Sequence, residues 1–156
     1  MDHNVHMQRA AELSAKAIKD QVGGPFGAVI VRDGKVIAEG SNRVTIDNDP
    51  TAHAEVVAIR NATKALGGFD LSGCELYTSC EPCPMCFGAI YWARLDHVYY
   101  ANTRQDAAAI GFDDKHIYDE ISAPIDQHSI PFTHLPNAEA SDVFTAWQTN
   151  SNLTRY

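Results

Sequence analysis

Three side chains with metal-ligand chemistry stand at defined positions near the middle of the chain. His53 offers an imidazole nitrogen, and Cys83 and Cys86 offer two thiolate sulfurs three positions apart. These ligands can hold a tetrahedral zinc ion and leave its fourth corner open to water, as catalytic rather than structural sites do. Glu55 follows the histidine by two positions, and its hard carboxylate suits proton transfer better than ligation beside soft thiolates. The pattern predicts one Zn²⁺ per chain with Glu55 as a catalytic residue.

Other interpretations of the same residues stay open on spacing alone. A lone histidine near a helix start is usually a cap or a core residue, and a Cys-x-x-Cys pair can be a redox pair. Cys74 and Cys80 could join Cys83 and Cys86 in a four-thiolate structural zinc site, which would make the protein a non-catalytic zinc-binding module. Neither alternative uses the carboxylate of Glu55. Cys80 lies at the predicted strand end before Pro82, so we interpret it as a packed small residue and not a ligand.

The predicted ligands must lie at helix starts. Residues two apart on a helix point to nearly opposite sides, so His53 and Glu55 can converge only beyond a helix N-terminus. Cap and breaker residues predict a helix over 52–66, a strand over 74–79 and an apolar helix over 83–93. Two helix N-termini would then point at one metal, and their partial positive charge favours thiolates.

The rest of the chain predicts an α/β fold. Strands and helices alternate after residue 51, which indicates at least one parallel crossover in a sheet covered on both faces. We expect a three-layer α-β-α domain over 1–156, with a mixed sheet of about five strands. The predicted strands are 26–31, 35–39, 74–79, 97–101 and 130–135, and the other predicted helices are 2–22, 103–110, 115–121 and 141–150.

Composition limits the class of substrate and the compartment. The 156 residues are 45% hydrophobic and 21% charged, as in ordinary globular domains. The net charge of −8 has the wrong sign for wide contact with a phosphate backbone, so we expect a small uncharged substrate and no stable nucleic-acid binding. Four cysteines with no secretion signal and no apolar run of membrane length predict a cytoplasmic protein without a membrane partner.

Several residues outside the ligand motif could line a pocket. Phe26 could stack on a heteroaromatic ring or be a core residue, and Asn42 could bind a base through its amide or simply stabilise a turn. Trp92 could be a pocket wall or part of the core. Asp113 and Asp114 could assist proton transfer, although a helix cap explains them nearly as well.

Longer motifs resemble a known family. The segments Pro25-Phe26-Gly27-Ala28, His53-Ala54-Glu55 and Cys83-Pro84-Met85-Cys86 resemble the cytidine-deaminase-like superfamily, whose nucleobase deaminases carry the signature H-x-E…P-C-x-x-C. The segments Tyr91-Trp92-Ala93-Arg94 and Gly111-Phe112-Asp113-Asp114, with the terminal Tyr156, look like the small bacterial guanine deaminases over the whole chain. That resemblance implies hydrolysis of guanine to xanthine and ammonia, with zinc-bound hydroxide attacking C2.

The resemblance also implies roles for individual residues. The metal would be held by His53, Cys83 and Cys86, protons would be carried by Glu55 and Asp114, and the base would be contacted by Phe26, Asn42, Ala54, Trp92 and Tyr156. Residues 141–156 would form a helix and tail exchanged between the subunits of a homodimer. A tRNA adenosine deaminase, or a deaminase of another small aminated heterocycle, remains an alternative because zinc and a glutamate do not by themselves define the ring.

Overall fold

The computed structural model describes residues 2–156, which form two compact units, 2–119 and Glu120–Tyr156. The first unit contains α1 (His3–Lys19), β1 (Gly27–Arg32), β2 (Lys35–Ser41), α2 (Val44–Asp47), α3 (Ala54–Leu66), β3 (Cys74–Cys80), α4 (Pro84–Ala93), β4 (His97–Asn102), α5 (Arg104–Ala109) and most of α6 (Lys115–Ser122). The second unit contains a 3-10 turn (Ile125–Gln127) and α7 (Ala138–Thr149).

The sheet of the first unit is mixed. Its strand order is β2-β1-β3-β4, and β1 pairs antiparallel with both of its neighbours. β3 and β4 are parallel and are connected through α4, which confirms the predicted crossover. A parallel pair cannot be joined by a tight turn, so a helix in this connection is what the chain geometry requires.

Helices cover both faces of the sheet, which confirms the three-layer α-β-α class. Side chains alternate along the buried strand β1, as the pleat of a strand requires. Val29 and Val31 pack with Leu13 of α1 on one face. Ala28 and Ile30 pack on the other face with buried residues of α3 and α4.

The predicted count of about five strands is wrong, because the sheet has four strands in the described residues. The fifth was expected at 130–135, where the structure has no regular hydrogen-bonded element. Pro131 removes a backbone donor from this segment and Pro136 follows directly after it, which disfavours a ladder. Its apolar residues Ile130, Phe132 and Leu135 are all exposed, so the segment also lacks the burial that stabilises a strand.

Close packing of α3 against the sheet determines where the metal-ligand helix begins. Ala54, Ala58 and Ala62 form a fully buried stripe at four-residue spacing. Gly40 of β2 lies beneath this stripe, and a Cβ there would come within 2.4 Å of the Ala54 carbonyl oxygen. Glycine is therefore required at this position, since any side chain would push away the helix that carries His53 at its start.

The second unit is dominated by α7. The sequence predicted this helix over 141–150, and it starts earlier because the Asn137 side chain accepts a hydrogen bond from the Ala140 N–H at 2.9 Å. The chain end packs back on the helix: Arg155 donates to the Trp147 carbonyl at 2.8 Å, and the Tyr156 ring lies edge-on to Trp147. No helix in the described part of the chain has the length and apolarity needed to cross a bilayer.

Candidate metal and catalytic site

The sheet brings the site-forming segments to one edge. In the register, Gly27 lies opposite Ser41, Ala28 opposite Thr78, and Cys80 opposite Asn102. The beginning of β1 and the ends of β2, β3 and β4 therefore meet at the same edge. The loops that leave this edge carry the predicted pocket and ligand residues, although they are far apart in sequence.

His53 and Glu55 lie at the start of α3, as predicted. His53 is the N-cap residue with extended backbone, and Glu55 lies in the first helical turn. The extended cap places the imidazole beyond the helix end, so it can face the same point as the carboxylate. The preceding residue, Ala52, accepts a backbone hydrogen bond from Arg43 at 2.9 Å, which ties this helix start to the loop after β2.

Cys83 and Cys86 repeat this arrangement at the start of α4. Cys83 is the N-cap residue and Pro84 occupies the first turn, where a missing N–H has no cost. A hydrogen bond from Cys86 lowers the pKa of the Cys83 thiol to about 4, whereas the same interaction and burial raise the pKa of Cys86. One thiolate is thus favoured by the protein alone, and a bound cation would favour the second.

The three predicted ligands converge with spacing suited to zinc. The His53 Nδ1 atom lies 3.5 Å from the Cys83 sulfur and 3.6 Å from the Cys86 sulfur. Zn–S bonds of ~2.3 Å and Zn–N bonds of ~2.0–2.1 Å at a tetrahedral angle place sulfur and nitrogen ~3.6 Å apart. Among the described residues, these three form the one cluster that could hold a metal ion, and the donor set fits zinc.

Glu55 is buried beside this cluster. Its side chain is 6% exposed, and one carboxylate oxygen lies 3.4 Å from the Cys86 sulfur. The other oxygen accepts a hydrogen bond from the Thr78 hydroxyl at 3.2 Å. Burial raises the pKa of Glu55, because the charged carboxylate loses hydration. Thr78 was not predicted from sequence, since a threonine inside a strand carries no motif.

Asn42 is buried, and its orientation is determined by the backbone. Its Oδ1 atom accepts hydrogen bonds from the Gly24 and Val44 N–H groups, each at 3.1 Å. An inverted amide would put NH₂ against two donors, so this orientation is the favourable one. A Cβ at Gly23 would lie 2.2 Å from Oδ1, so glycine there permits the contact. The Nδ2 group makes no hydrogen bond within the described chain and is the part of the amide left for a ligand.

Phe26 lies beside this amide. Its carbonyl accepts the Asn42 N–H at 3.0 Å, and its ring meets the Phe112 ring edge-on with centroids 4.9 Å apart. The Phe26 side chain is half-buried and also packs against the core below α3 and α4. The structure thus combines both interpretations of Phe26, as a core residue with an accessible face. Phe112, adjacent to the predicted Asp113 and Asp114, is the residue that sequence reasoning left without a role.

Asp114 is a largely buried carboxyl that faces Arg104. Its side chain is 15% exposed and lies 3.9 Å from the guanidinium of Arg104. Burial raises the pKa of Asp114, and the negative charge of the Cys83 thiolate acts in the same direction. Asp113 instead accepts the Lys115 N–H at 2.9 Å, as a cap of α6. The two carboxylates thus lie in different surroundings: Asp113 bonds the backbone at the start of α6, and Asp114 faces Arg104.

Three other residues were predicted to contact the substrate, and the structure gives their positions and exposure. Ala54 is fully buried in the first turn of α3. Trp92 on α4 and Tyr156 at the chain end are each 71% exposed. Their roles in binding a base stay predictions.

The remaining cysteines lie outside the metal cluster. Cys74 is fully buried at the start of β3, and the Cys80 sulfur faces the Thr103 carbonyl oxygen at 3.8 Å. Burial raises the pKa of Cys80 to about 11, so this thiol stays protonated at neutral pH. The geometry therefore supports a three-ligand site with an open corner over a four-thiolate structural site.

The fold and the site define a zinc-binding deaminase, and the chain belongs to that family. Residues 1–102 match the cytidine and deoxycytidylate deaminase zinc-binding region. Over 156 residues the chain is 53% identical to a guanine deaminase of Bacillus subtilis (strain 168), with 100% of each sequence covered. An X-ray structure of guanine deaminase from Bacillus subtilis superimposes with a TM-score of 0.97 at 53% identity, covering 100% of this chain and 99% of that one.

Other relatives share a smaller part of the chain. A tRNA-specific adenosine deaminase of Agrobacterium fabrum is 44% identical over 100 residues, which cover 64% of this chain and 66% of the relative. A guanine deaminase structure from Nitrosomonas europaea matches with a TM-score of 0.67 at 40% identity, covering 70% of this chain and 63% of that one.

Proposed function

We propose that this deaminase acts on guanine, whose C2 amine is replaced by the oxygen of water to give xanthine and ammonia. The observation that carries the proposal is the 53% identity to a guanine deaminase over the full 156 residues, which extends past the family region at residues 1–102. The net charge of −8 supports a small neutral base over a tRNA, because phosphate contacts need a basic surface.

The direct test is ammonia release from a panel of guanine, adenine, cytosine, cytidine and tRNA. We expect guanine to be consumed far faster than the others, with xanthine as the product identified by chromatography. Comparable rates on guanine and adenine, or a preference for tRNA, would favour the alternative substrates. Release from none of them would support a non-catalytic zinc module.

The chain's own residues would supply binding and proton transfer. Zinc held by His53, Cys83 and Cys86 would supply an activated water as the nucleophile. Glu55 would accept a proton from that water and deliver it to N3 of the ring, then take the remaining proton of the new C2 hydroxyl and give it to the leaving amine. A single carboxyl can act as base and then acid only when it lies close to both groups, and the placement of Glu55 beside the ligands supports this.

Thr78 would stabilise Glu55 in both of its protonation states. Its hydroxyl lies within hydrogen-bond distance of the Glu55 carboxylate at 3.2 Å and of the Cys80 carbonyl at 3.1 Å. A hydroxyl has one proton and two lone pairs, so it can donate to the carboxylate, or accept from a protonated Glu55 while donating to the carbonyl. Thr78 can therefore stay hydrogen-bonded to the same Glu55 oxygen in either protonation state.

The fixed amide of Asn42 supports selection of guanine. Because Oδ1 is occupied by two backbone N–H groups, the amide can offer a ligand only the Nδ2 donor. Guanine presents the O6 and N7 acceptors, whereas adenine presents an amino donor at the position of O6. A donor aimed at O6 would thus pair with guanine and oppose adenine.

Asn42→Asp should lower kcat/KM for guanine by at least ~100-fold, since a site built to hydrogen-bond one pattern strongly rejects another. The substituted carboxylate can still accept the Gly24 and Val44 N–H groups, so the loop should stay in place. Its second oxygen would face the guanine acceptor and repel it. The ratio of kcat/KM for guanine over adenine, measured by ammonia release, should fall.

Asn61→Asp provides the matched control for this prediction. Asn61 is exposed on α3 and bonds the Glu39 carbonyl at 2.8 Å, away from the ligands. It should leave the guanine-to-adenine ratio unchanged. An unchanged ratio in Asn42→Asp would contradict the assignment of Asn42 to the base.

We further propose that the protein is a homodimer in which residues 141–156 reach the active site of the partner subunit. Apolar residues on two separate units support this: Phe87, Tyr91 and Trp92 are exposed on α4, and Val143 and Phe144 are exposed on α7. Exposed apolar groups of this extent commonly mark protein interfaces. Exchange of an identical segment would make a symmetric dimer.

Removal of the terminal aromatic ring should lower guanine turnover while zinc content stays at one per chain. Tyr156→Ala is preferable to deleting 152–156, because the deletion also removes Arg155, whose guanidinium caps the carbonyls at the end of α7. We expect the loss because the Tyr156 ring would cover the active site and exclude bulk water from it, as lids do. Ammonia release and bound zinc are measured on the same preparation.

A complementation experiment separates exchange from closure within one chain. Chains carrying Tyr156→Ala are mixed with chains carrying Glu55→Gln under conditions that exchange subunits. One site of the mixed dimer then combines an intact Glu55 with an intact partner tail, so activity should recover. Proven heterodimers without recovery would show that the tail does not act on the partner.

A further inference from the structure

Arg104 follows β4 at the same sheet edge as the metal-ligand loops, yet no part of the ligand motif includes it. It is the first residue of α5, two positions after the last residue of β4. Its backbone N–H donates to the Glu81 carboxylate at 2.7 Å, and Glu81 follows the end of β3. The position of Arg104 is therefore tied to the segment that leads into the cysteine ligands.

The guanidinium of Arg104 is held by two residues of the same helical turn. It lies 4.0 Å from the centre of the Tyr118 ring, within the range of a cation–π contact. Its Nε atom also lies 3.9 Å from the Asp114 carboxylate. Asp114 and Tyr118 are joined by the backbone hydrogen bond at the start of α6, at 3.2 Å. Arg104 thus contacts two side chains whose backbones are joined by a hydrogen bond.

Asp114 is in an environment that otherwise disfavours its charge. Burial raises the pKa of its carboxyl, and the charges of Cys83 and Asp113 add to that effect. Arg104 acts in the opposite direction as the cation that faces Asp114. Asp114 in turn affects two other titratable groups. Its negative charge acts to raise the pKa of Tyr118 and the pKa of Cys80.

We propose that Arg104 is a positioning residue, which holds the Asp114 carboxylate in place beside the metal site through their ion pair and is itself held by the Tyr118 ring. The proposal rests on the deamination proposed above, because it assigns Arg104 to that reaction through Asp114. The Arg104 side chain is 33% exposed and Asp114 only 15%, so solvent screens this pair less than a surface pair.

The test compares Arg104→Gln, Arg104→Lys, Asp114→Asn and the double variant Arg104→Gln/Asp114→Asn. Arg104→Gln should lower kcat for guanine ~10-fold or more with little change in KM, since a displacement of about 1 Å at a catalytic group can cost up to ~100-fold. Arg104→Lys should recover part of the loss by restoring the charge. The double variant should be no slower than Asp114→Asn alone, because Arg104 acts through Asp114.

A second measurement does not depend on turnover. In protein labelled with ¹³C-aspartate, the Asp114 carboxyl resonance is assigned by its loss in Asp114→Asn. Removing the neighbouring positive charge raises the pKa of Asp114, so this resonance should titrate at higher pH in Arg104→Gln than in the unaltered chain. Bound zinc should stay at one per chain in every variant.

Arg60→Gln is the matched control, because Arg60, on α3, forms an exposed ion pair with Asp49 at 3.5 Å. It should change neither kcat nor the Asp114 resonance. Losses that add in the double variant, or an Asp114 titration unchanged by Arg104→Gln, would overturn the proposal. If the unaltered protein releases no ammonia from guanine, the proposed function fails, and the resonance titration still decides whether Arg104 controls Asp114.

Discussion

Glu55→Gln should lower kcat for guanine by at least ~10²–10⁴-fold, the contribution usually made by general acid–base catalysis, while zinc stays bound. Glutamine has the same shape as glutamate, so its carbonyl can still accept the Thr78 hydroxyl and its amide can still face the Cys86 sulfur. What it cannot do is accept a proton from water and transfer protons to the ring and the leaving amine. The measurements are steady-state ammonia release and zinc content of the purified variant.

The matched control is Glu12→Gln, which alters an exposed carboxylate paired with Arg9 on α1. It should leave kcat within a few-fold of the unaltered protein. If Glu55→Gln were as active as this control, another group would have to carry the proton. Asp114 would then be the first residue to replace in a further variant.

Replacing either cysteine ligand should remove the metal and all measurable turnover. Cys83→Ala or Cys86→Ala leaves one thiolate and one imidazole, and a three-ligand catalytic site cannot lose a ligand without a large loss of affinity. Zinc per chain, measured by atomic absorption after dialysis, should fall from about one to near zero. Added zinc should restore turnover in the unaltered protein after chelation, but not in these variants.

Cys80→Ala is the control for both substitutions, because it makes the same change three positions before the first cysteine ligand. The Cys80 sulfur packs against the Thr103 carbonyl oxygen and lies outside the ligand cluster. Its removal should cost about 1 kcal/mol in the free energy of unfolding and leave zinc and kcat unchanged. Full zinc occupancy in Cys83→Ala, or zinc loss in Cys80→Ala, would contradict the three-ligand assignment.

The sequence was most informative where the chemistry is local. The positions of His53, Glu55, Cys83 and Cys86 at helix starts follow from caps, breakers and spacing, and the structure places all four there. A helix start is determined by a few adjacent residues, so these predictions needed no knowledge of the fold. The parallel crossover between β3 and β4 followed for a similar reason, because a helical segment separates two apolar runs.

Apolar runs alone were less reliable. The segment 130–135 has the apolar residues of a strand but remains exposed without a pairing partner in the described chain. A strand is stabilised by its neighbour across the ladder, and that neighbour is not visible in the local sequence. The four-stranded count is therefore a property of the folded unit.

The sequence by itself determined the donor set for a metal, the nearby carboxylate and the α/β class, because residue type and short-range spacing carry that information. Only the tertiary structure decided which groups support them. It placed Thr78 on Glu55, oriented the Asn42 amide through Gly24 and Val44, and paired Arg104 with Asp114. These contacts join segments from different strands and loops, and they exist only because the sheet brings those segments to one edge.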